Sequence, residues 1–356
     1  MLSKYFQFCL ALSTILVASQ YSRAQEKPTR EQFVSDASFF VATHQPDFGK
    51  HKPEEMAKAA NAFLETRGEK LGSKVRHKLT SSERRQWTNL PARRDAGGVR
   101  FGEMNEKQIR AACDLMATLF SEQGYRKMIN IMIADDQLLR GGRARAGFGT
   151  EDFAIVIFGK PSASGDWAFQ LDGHHVGVNV SIKGEKLTMS PSFIGTQPEA
   201  FKITKKVRPL GQETDSAYEL LGSLTKKQLA KAIVSGRRGR IMTGPGNDGK
   251  VPEAKGLVAA NMTDEQKEKL LALIGHWVND MPEFTAKAEM ESIKAEIDKV
   301  HFAWSGPKEK GGDISFAIQG PSVIIEYACQ QLGGNPRDHL HTMYRNPKKE
   351  YLGQLK

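Results

Sequence analysis

The run Trp167-Ala-Phe-Gln-Leu-Asp-Gly-His-His-Val-Gly-Val-Asn-Val180 constrains the fold of this chain more than any other stretch. Two segments rich in β-branched and aromatic residues flank Asp172-Gly173, which predicts a β-hairpin turning at the Asp-Gly step. His174 and His175 follow at once, so two imidazoles enter the second strand at its start. Successive side chains of a regular strand point to opposite faces. Only a backbone that twists just after the turn would bring both rings to one side.

The patterns on either side predict the rest of the architecture. Apolar residues recur at three- and four-residue spacing over 31–44, 54–67, 105–122 and 124–139, giving a helical amino-terminal third. Asn105 with Gln108, Thr225 with Gln228 and Thr263 with Gln266 are capping-box starts. Leu270, Ile274 and Trp277 mark the buried stripe of a helix over 263–279. Strands are expected at 153–158, 167–171, 176–182 and 187–189, then at 301–304, 314–318, 323–328 and 340–344. Strands interrupted by long helical insertions predict an α+β domain with a mostly antiparallel sheet and a central hairpin, not an alternating βαβ fold.

Residues 1–24 read as a signal peptide. Lys4 supplies a positive start, residues 6–18 a short apolar core, and Ser22-Arg23-Ala24 the small residues of a cleavage site. An uncleaved anchor is the competing reading, and no later apolar run is long enough to span a bilayer. A single secreted or periplasmic domain over 25–356 is therefore expected. Cys9 leaves with the signal, so Cys113 and Cys329 remain, either bridged or as buried thiols. The net charge of +10 favours acidic partners, but acidic residues are interleaved throughout. The densest basic points, Arg140-Gly-Gly-Arg-Ala-Arg145 and Arg237-Arg-Gly-Arg240, lack the Lys-Ser/Thr of a phosphate loop and read as cationic loops. No nucleic-acid-binding module is recognisable, so nucleic acid is not an expected partner.

Chemistry is expected where the hairpin meets the carboxyl-terminal strands. His339 and His341 share a face if their segment is extended, and so can bind one ion. Glu326 lies among apolar residues in 323–328, where a buried carboxylate must be paired or ligated. Two or three imidazoles with a carboxylate suit Zn²⁺ or, in other geometries, Cu²⁺ or Fe²⁺. The expected metal ligands are His174, His175 and His341, with His339 as an addition. Glu326 is a candidate ligand or general base, and Arg345 a candidate anion stabiliser or the partner of Glu326 or Glu350. Tyr327 is a candidate proton donor, and Trp304 a candidate wall for a glycan-like or flat ligand, each with core packing as its competitor.

Taken together, Phe158-Gly-Lys-Pro-Ser162, the Trp167–His175 run with Asn179, and Pro191-Ser-Phe-Ile-Gly195 before Pro198 resemble the domain of unknown function 3500 family. Phe302-Ala-Trp-Ser-Gly306, Gly320-Pro321, Ile325-Glu-Tyr327, His341-Thr-Met-Tyr-Arg345 and Tyr351-Leu-Gly353 extend the resemblance over residues 30–356. It implies one exported domain and supplies no reaction. The end departs from the family pattern. Relatives tend to carry Asp-Tyr-Gly and a further histidine after the arginine, where this chain has Lys349-Glu350-Tyr351-Leu352-Gly353 and no later histidine.

Three functions remain open on these residues. The first is a metal-dependent enzyme, with hydrolysis by activated water preferred to oxidation because no redox-tuning ligand set is present. The second is a binding module for an anionic or aromatic small molecule. The third is a buried polar network that only stabilises the hairpin.

Overall fold

The computed structural model describes residues 27–66, 72, 74–91, 97–142, 147–236, 239, 241–330 and 334–355. The segment read as a signal peptide lies outside them, as do Arg143, Arg145, Arg237, Arg238 and Arg240 of the basic clusters.

The amino-terminal third is helical, as its periodicity predicts. It contains α1 (Asp36–Thr43), α2 (Pro53–Glu65), α3 (Glu106–Leu119) and α4 (Glu122–Arg140). Residues 31–44 do not form one helix. A 3₁₀ turn at Arg30–Gln32 comes first, and Ser35 then caps α1 by accepting from the Ser38 amide. The Asn105–Gln108 capping box opens α3, with both reciprocal hydrogen bonds at 3.0 Å. The second helical block comprises α5 (Gly211–Ser223), α6 (Lys226–Ala232), α7 (Asp264–Val278) and α8 (Glu283–Ala295). The Thr225–Gln228 and Thr263–Gln266 boxes open α6 and α7. No helix among the described residues is long and apolar enough to cross a membrane.

The strands run in chain order as β1 (Arg76–His77), β2 (Val99–Arg100), β3 (Ala154–Gly159), β4 (Asp166–Gly173), β5 (Val176–Lys183), β6 (Lys186–Thr188) and β7 (Ser192–Thr196). They continue as β8 (Phe201–Lys202), β9 (Lys206–Val207), β10 (Leu257–Val258), β11 (His301–Ser305), β12 (Ser315–Gly320), β13 (Val323–Cys329) and β14 (Leu340–Arg345). Among the described residues, β8 and β9 pair alone and the other twelve make one sheet. Its spatial order is β1-β3-β4-β5-β7-β14-β13-β12-β11-β10, with β2 beside β3 and β6 beside β5. Every pairing in it is antiparallel except β1 with β3, which makes the fold α+β as expected.

Register sorts the side chains into two faces. One row runs Val176, Ile194, Thr342, Tyr327, Phe316, Trp304 across six strands. This face lies against the helices: Trp277 of α7 donates to Thr342 at 2.9 Å, and Tyr218 of α5 meets Trp304 edge-on at 5.1 Å. Trp304 stacks on Phe316, which stacks in turn on Tyr327, so each of these rings is core. Burying one such ring contributes roughly 1.5–3 kcal/mol. The opposite face carries His175, Gly195, His341 and Ala328 in one row. The next row is Gly177, Phe193, Met343 and Glu326. Loops cover this face, with Trp87 packed on Phe193 and Met343.

The hairpin turns two residues later than the Asp-Gly step predicts. Gly173 pairs with Val176, so His174 and His175 are the turn and Asp172 is a strand residue opposite Gly177. Gly173 serves packing instead: a β-carbon there would lie 2.5 Å from the Phe153 ring. Cys113 and Cys329 are both buried thiols, the first of the two alternatives left open being excluded. Burial pushes their pKa values up to about 12 and about 11, so neither is a reactive thiolate at neutral pH.

Candidate metal centre

The turn explains how two adjacent histidines reach one side of the sheet. His175 has φ = 68°, in the left-handed region where glycine or asparagine is usual. A side chain held there costs of order 1–3 kcal/mol and persists only where its surroundings enforce it. The His175 amide donates to the Asn89 carbonyl at 3.1 Å, and its own carbonyl accepts from Gly195 at 2.7 Å. These bonds fix the residue between a covering loop and β7. The His174 and His175 rings then lie 3.7 Å apart, centroid to centroid, at 33°.

Distant segments supply the partners. His339 Nε2 lies 2.8 Å from His175 Nε2 and 3.0 Å from His341 Nε2. His339 precedes β14 and His341 lies within it, so their relation is close to the same-face spacing expected of His-x-His. Gly195 makes the meeting possible. A β-carbon there would sit 2.9 Å from the His341 ring, 3.0 Å from the His175 ring and 2.6 Å from the Leu340 carbonyl oxygen. His174, His175 and His339 form a buried set of ligand atoms within 4.8 Å of one another, able to hold a metal ion. His341, half-buried and in contact with His339, extends the set to four imidazoles.

Protons alone do not satisfy this arrangement. The Nε2 of a neutral imidazole offers one hydrogen or one lone pair, directed in the ring plane. His339 Nε2 faces two other Nε2 atoms, so at most one contact can be a good hydrogen bond. Burial, together with the neighbouring imidazoles, holds the pKa values of His175 and His341 well below the usual value. Both rings therefore stay neutral and keep the lone pairs that a ligand needs. His175 Nδ1 is buried and has no hydrogen-bond partner among the described residues.

His174 is oriented from behind by a residue that sequence reasoning missed. Asp135, on α4, meets His174 Nδ1 at 2.5 Å through Oδ1, while its Oδ2 accepts from the Gly149 amide at 2.6 Å. Its neighbour Asp136 accepts from the Thr150 amide and hydroxyl at 2.7 and 2.8 Å. Together they anchor residues 149–150 and the preceding Phe148, whose ring meets His174 edge-on at 4.4 Å. A signal was available in the sequence. Asp135 stands four residues after Ile131 and three before Leu138, on a stripe that is buried. A carboxylate there needs a partner.

The other expected site residues are placed elsewhere. Glu326 shares the histidine face, but its Oε2 accepts from the Met242 amide, the Thr243 amide and the Thr243 hydroxyl at 2.7–2.9 Å. Arg345 lies four residues along β14 from His341, about 13 Å at strand rise. It pairs with Glu350 and donates to the Asn247 and Lys250 carbonyls at 3.0 Å. Of the partners foreseen for Arg345, Glu350 is the one found. Tyr327 and Trp304 lie on the helix-covered face, and the Tyr327 hydroxyl bonds Thr214 at 2.7 Å. The structure therefore brings together His174, His175, His339 and His341, and does not bring Arg345, Tyr327 or Trp304 to them.

A family described as protein of unknown function (DUF3500) matches residues 50–353, most of the chain. The chain belongs to that family. No curated protein and no solved structure matches.

Proposed function

We propose that this protein is an exported metal-dependent enzyme whose ion is held by the Nε2 atoms of His175, His339 and His341. The observation that carries the reading is the convergence of two imidazole nitrogens on His339 Nε2 at 2.8 and 3.0 Å, a geometry protons do not satisfy. Export rests on the pattern of residues 1–24. Imidazole donors suit Zn²⁺, Cu²⁺ or Fe²⁺.

A bound ion with an open position supplies water activation at neutral pH, and hydrolysis is the preferred reaction class. His174 provides the complementary group. With Nδ1 held by Asp135, its Nε2 is left as the acceptor atom beside the cluster, as a fourth ligand or as a general base. Glu326 has its Oε2 committed to the 242–243 backbone, so we assign it to positioning that loop over the site.

Elemental analysis of residues 25–356, produced without a histidine tag, tests the reading. About one transition-metal ion per chain is expected, and it should fall well below half in His175→Ala and His339→Ala. An ion-free protein, even after incubation with each metal and desalting, would sink the proposal in favour of a binding or structural role.

A further inference from the structure

A groove of about 490 Å³ lies where the β5–β6 hairpin, the start of α8 and residues 348–352 come together. Its size is that of a small-molecule site. Four lysines border it, Lys183, Lys186, Lys348 and Lys349, against two carboxylates, Glu185 and Glu289. Its apolar wall includes Leu187, Leu352 and Phe284, and Phe284 is 44% exposed although large and hydrophobic. None of these residues belongs to the histidine cluster.

Three of the four lysines already have a carboxylate. Glu296 holds Lys348 at 2.9 Å, Glu289 holds Lys349 at 3.0 Å, and Asp166 lies 3.8 Å from Lys183. Lys186 has none among the described residues and stands directly across the hairpin from Lys183, a facing of like charges that is destabilising. On the other side of the groove Thr285 is 5% exposed, and its buried hydroxyl makes no hydrogen bond among the described residues. A threonine in a helix has two open χ1 wells, so one rotation exchanges the positions of hydroxyl and methyl. Thr285 lies in the first turn of α8, which packs against β6 and whose cap, Pro282, supplies no side-chain hydrogen bond. The start of a helix favours an anion. Glu283 of the same turn is exposed and does not border the groove.

We infer that this groove binds a small organic anion with an apolar body. Lys186 and the Thr285 hydroxyl receive its carboxylate or sulfonate, and Leu187, Phe284 and Leu352 receive the apolar part. An inorganic anion would leave the apolar wall uncovered, and a neutral apolar molecule would leave Lys186 unpaired. Covering the exposed ring contributes roughly 25 cal/mol per Å² of apolar surface removed from water. The site stands on its own residues and holds whether or not a metal occupies the histidines.

Isothermal titration of the mature protein with octanoate, 1-octanol and acetate tests the inference. Octanoate should bind at least about tenfold more tightly than octanol, which lacks the charge, and than acetate, which lacks the chain. Lys186→Gln should weaken octanoate about fivefold and leave octanol unchanged. Lys287→Gln removes an exposed lysine of α8 outside the groove and should leave octanoate unchanged. No binding, octanoate no tighter than either counterpart, or octanoate affinity unchanged in Lys186→Gln would overturn it. So would an equal loss in the two lysine variants, which would show only diffuse attraction to a basic protein. Both lysines are exposed, so both variants are expected to fold.

Discussion

On the helix-covered face, Ile194, Thr342, Tyr327, Phe316 and Trp304 follow one another across the strands as packed rings and branched chains, with the Thr342 and Tyr327 hydroxyls bonded to helix residues and the Trp304 indole to the Gly306 carbonyl. One residue further along the same strands stand His175, Gly195, His341 and Glu326, under loops. The backbone is common to both faces, and alternation alone separates them. The first face is filled by volume. The second is shaped by an omission at Gly195, which leaves space for two imidazoles. The packed core therefore lies on one side of the sheet and the histidine cluster on the other.

The largest expected effect breaks the comparison directly. Phe316→Ala removes a buried ring stacked between Trp304 and Tyr327 and should destabilise the fold by about 3–5 kcal/mol in urea unfolding. Metal stoichiometry in the folded fraction should be unchanged. Gly195→Ala should do the reverse, losing the ion at a smaller cost in stability. If Phe316→Ala abolishes metal binding and Gly195→Ala does not, the two faces are not separable.

A smaller effect sharpens the contrast through pH. Burial raises the Asp136 pKa to about 6, above the unfolded value of about 3.9. The folded state then binds more protons between these values, so stability contributed by this group is greatest in acid and falls as pH rises from about 4 to about 6. Roughly 2 kcal/mol should be lost over that window. The same window should be flat for this group in Asp136→Asn, compared by denaturant midpoints. A wild-type-minus-variant difference that does not change with pH would contradict it.

The smallest effect concerns the turn. His175→Gly should be about 1 kcal/mol more stable than His175→Ala, because only glycine relieves the left-handed backbone. Both lose the imidazole. Equal midpoints would show that the turn is not strained at this position.

Much of this was legible before the fold was known, because the signals were local. Helix starts at Asn105, Thr225 and Thr263 are fixed by hydrogen bonds spanning three residues. The apolar alternation of 323–328 likewise marked β13 and placed Glu326 opposite Tyr327 in facing. The turn was misplaced because Asp-Gly is a strong local preference that longer-range packing overrode: Phe153 covers Gly173, and Gly173 is needed as a strand residue. Asp135 escaped notice for the same kind of reason, its partner being 39 residues away. The role expected of Arg345 depended on the 247–250 loop, whose path no periodicity encodes.

His175 and His339 are separated by 164 residues, with the second helical block and strands β5 to β13 between them. A contact of such span closes late, because the entropy of joining distant segments must be offset by structure already formed. A chain still being synthesised holds only the hairpin's two rings, which lack His339 and His341. Arrival of the segment that leads into β14 is thus the event that brings the four imidazoles together.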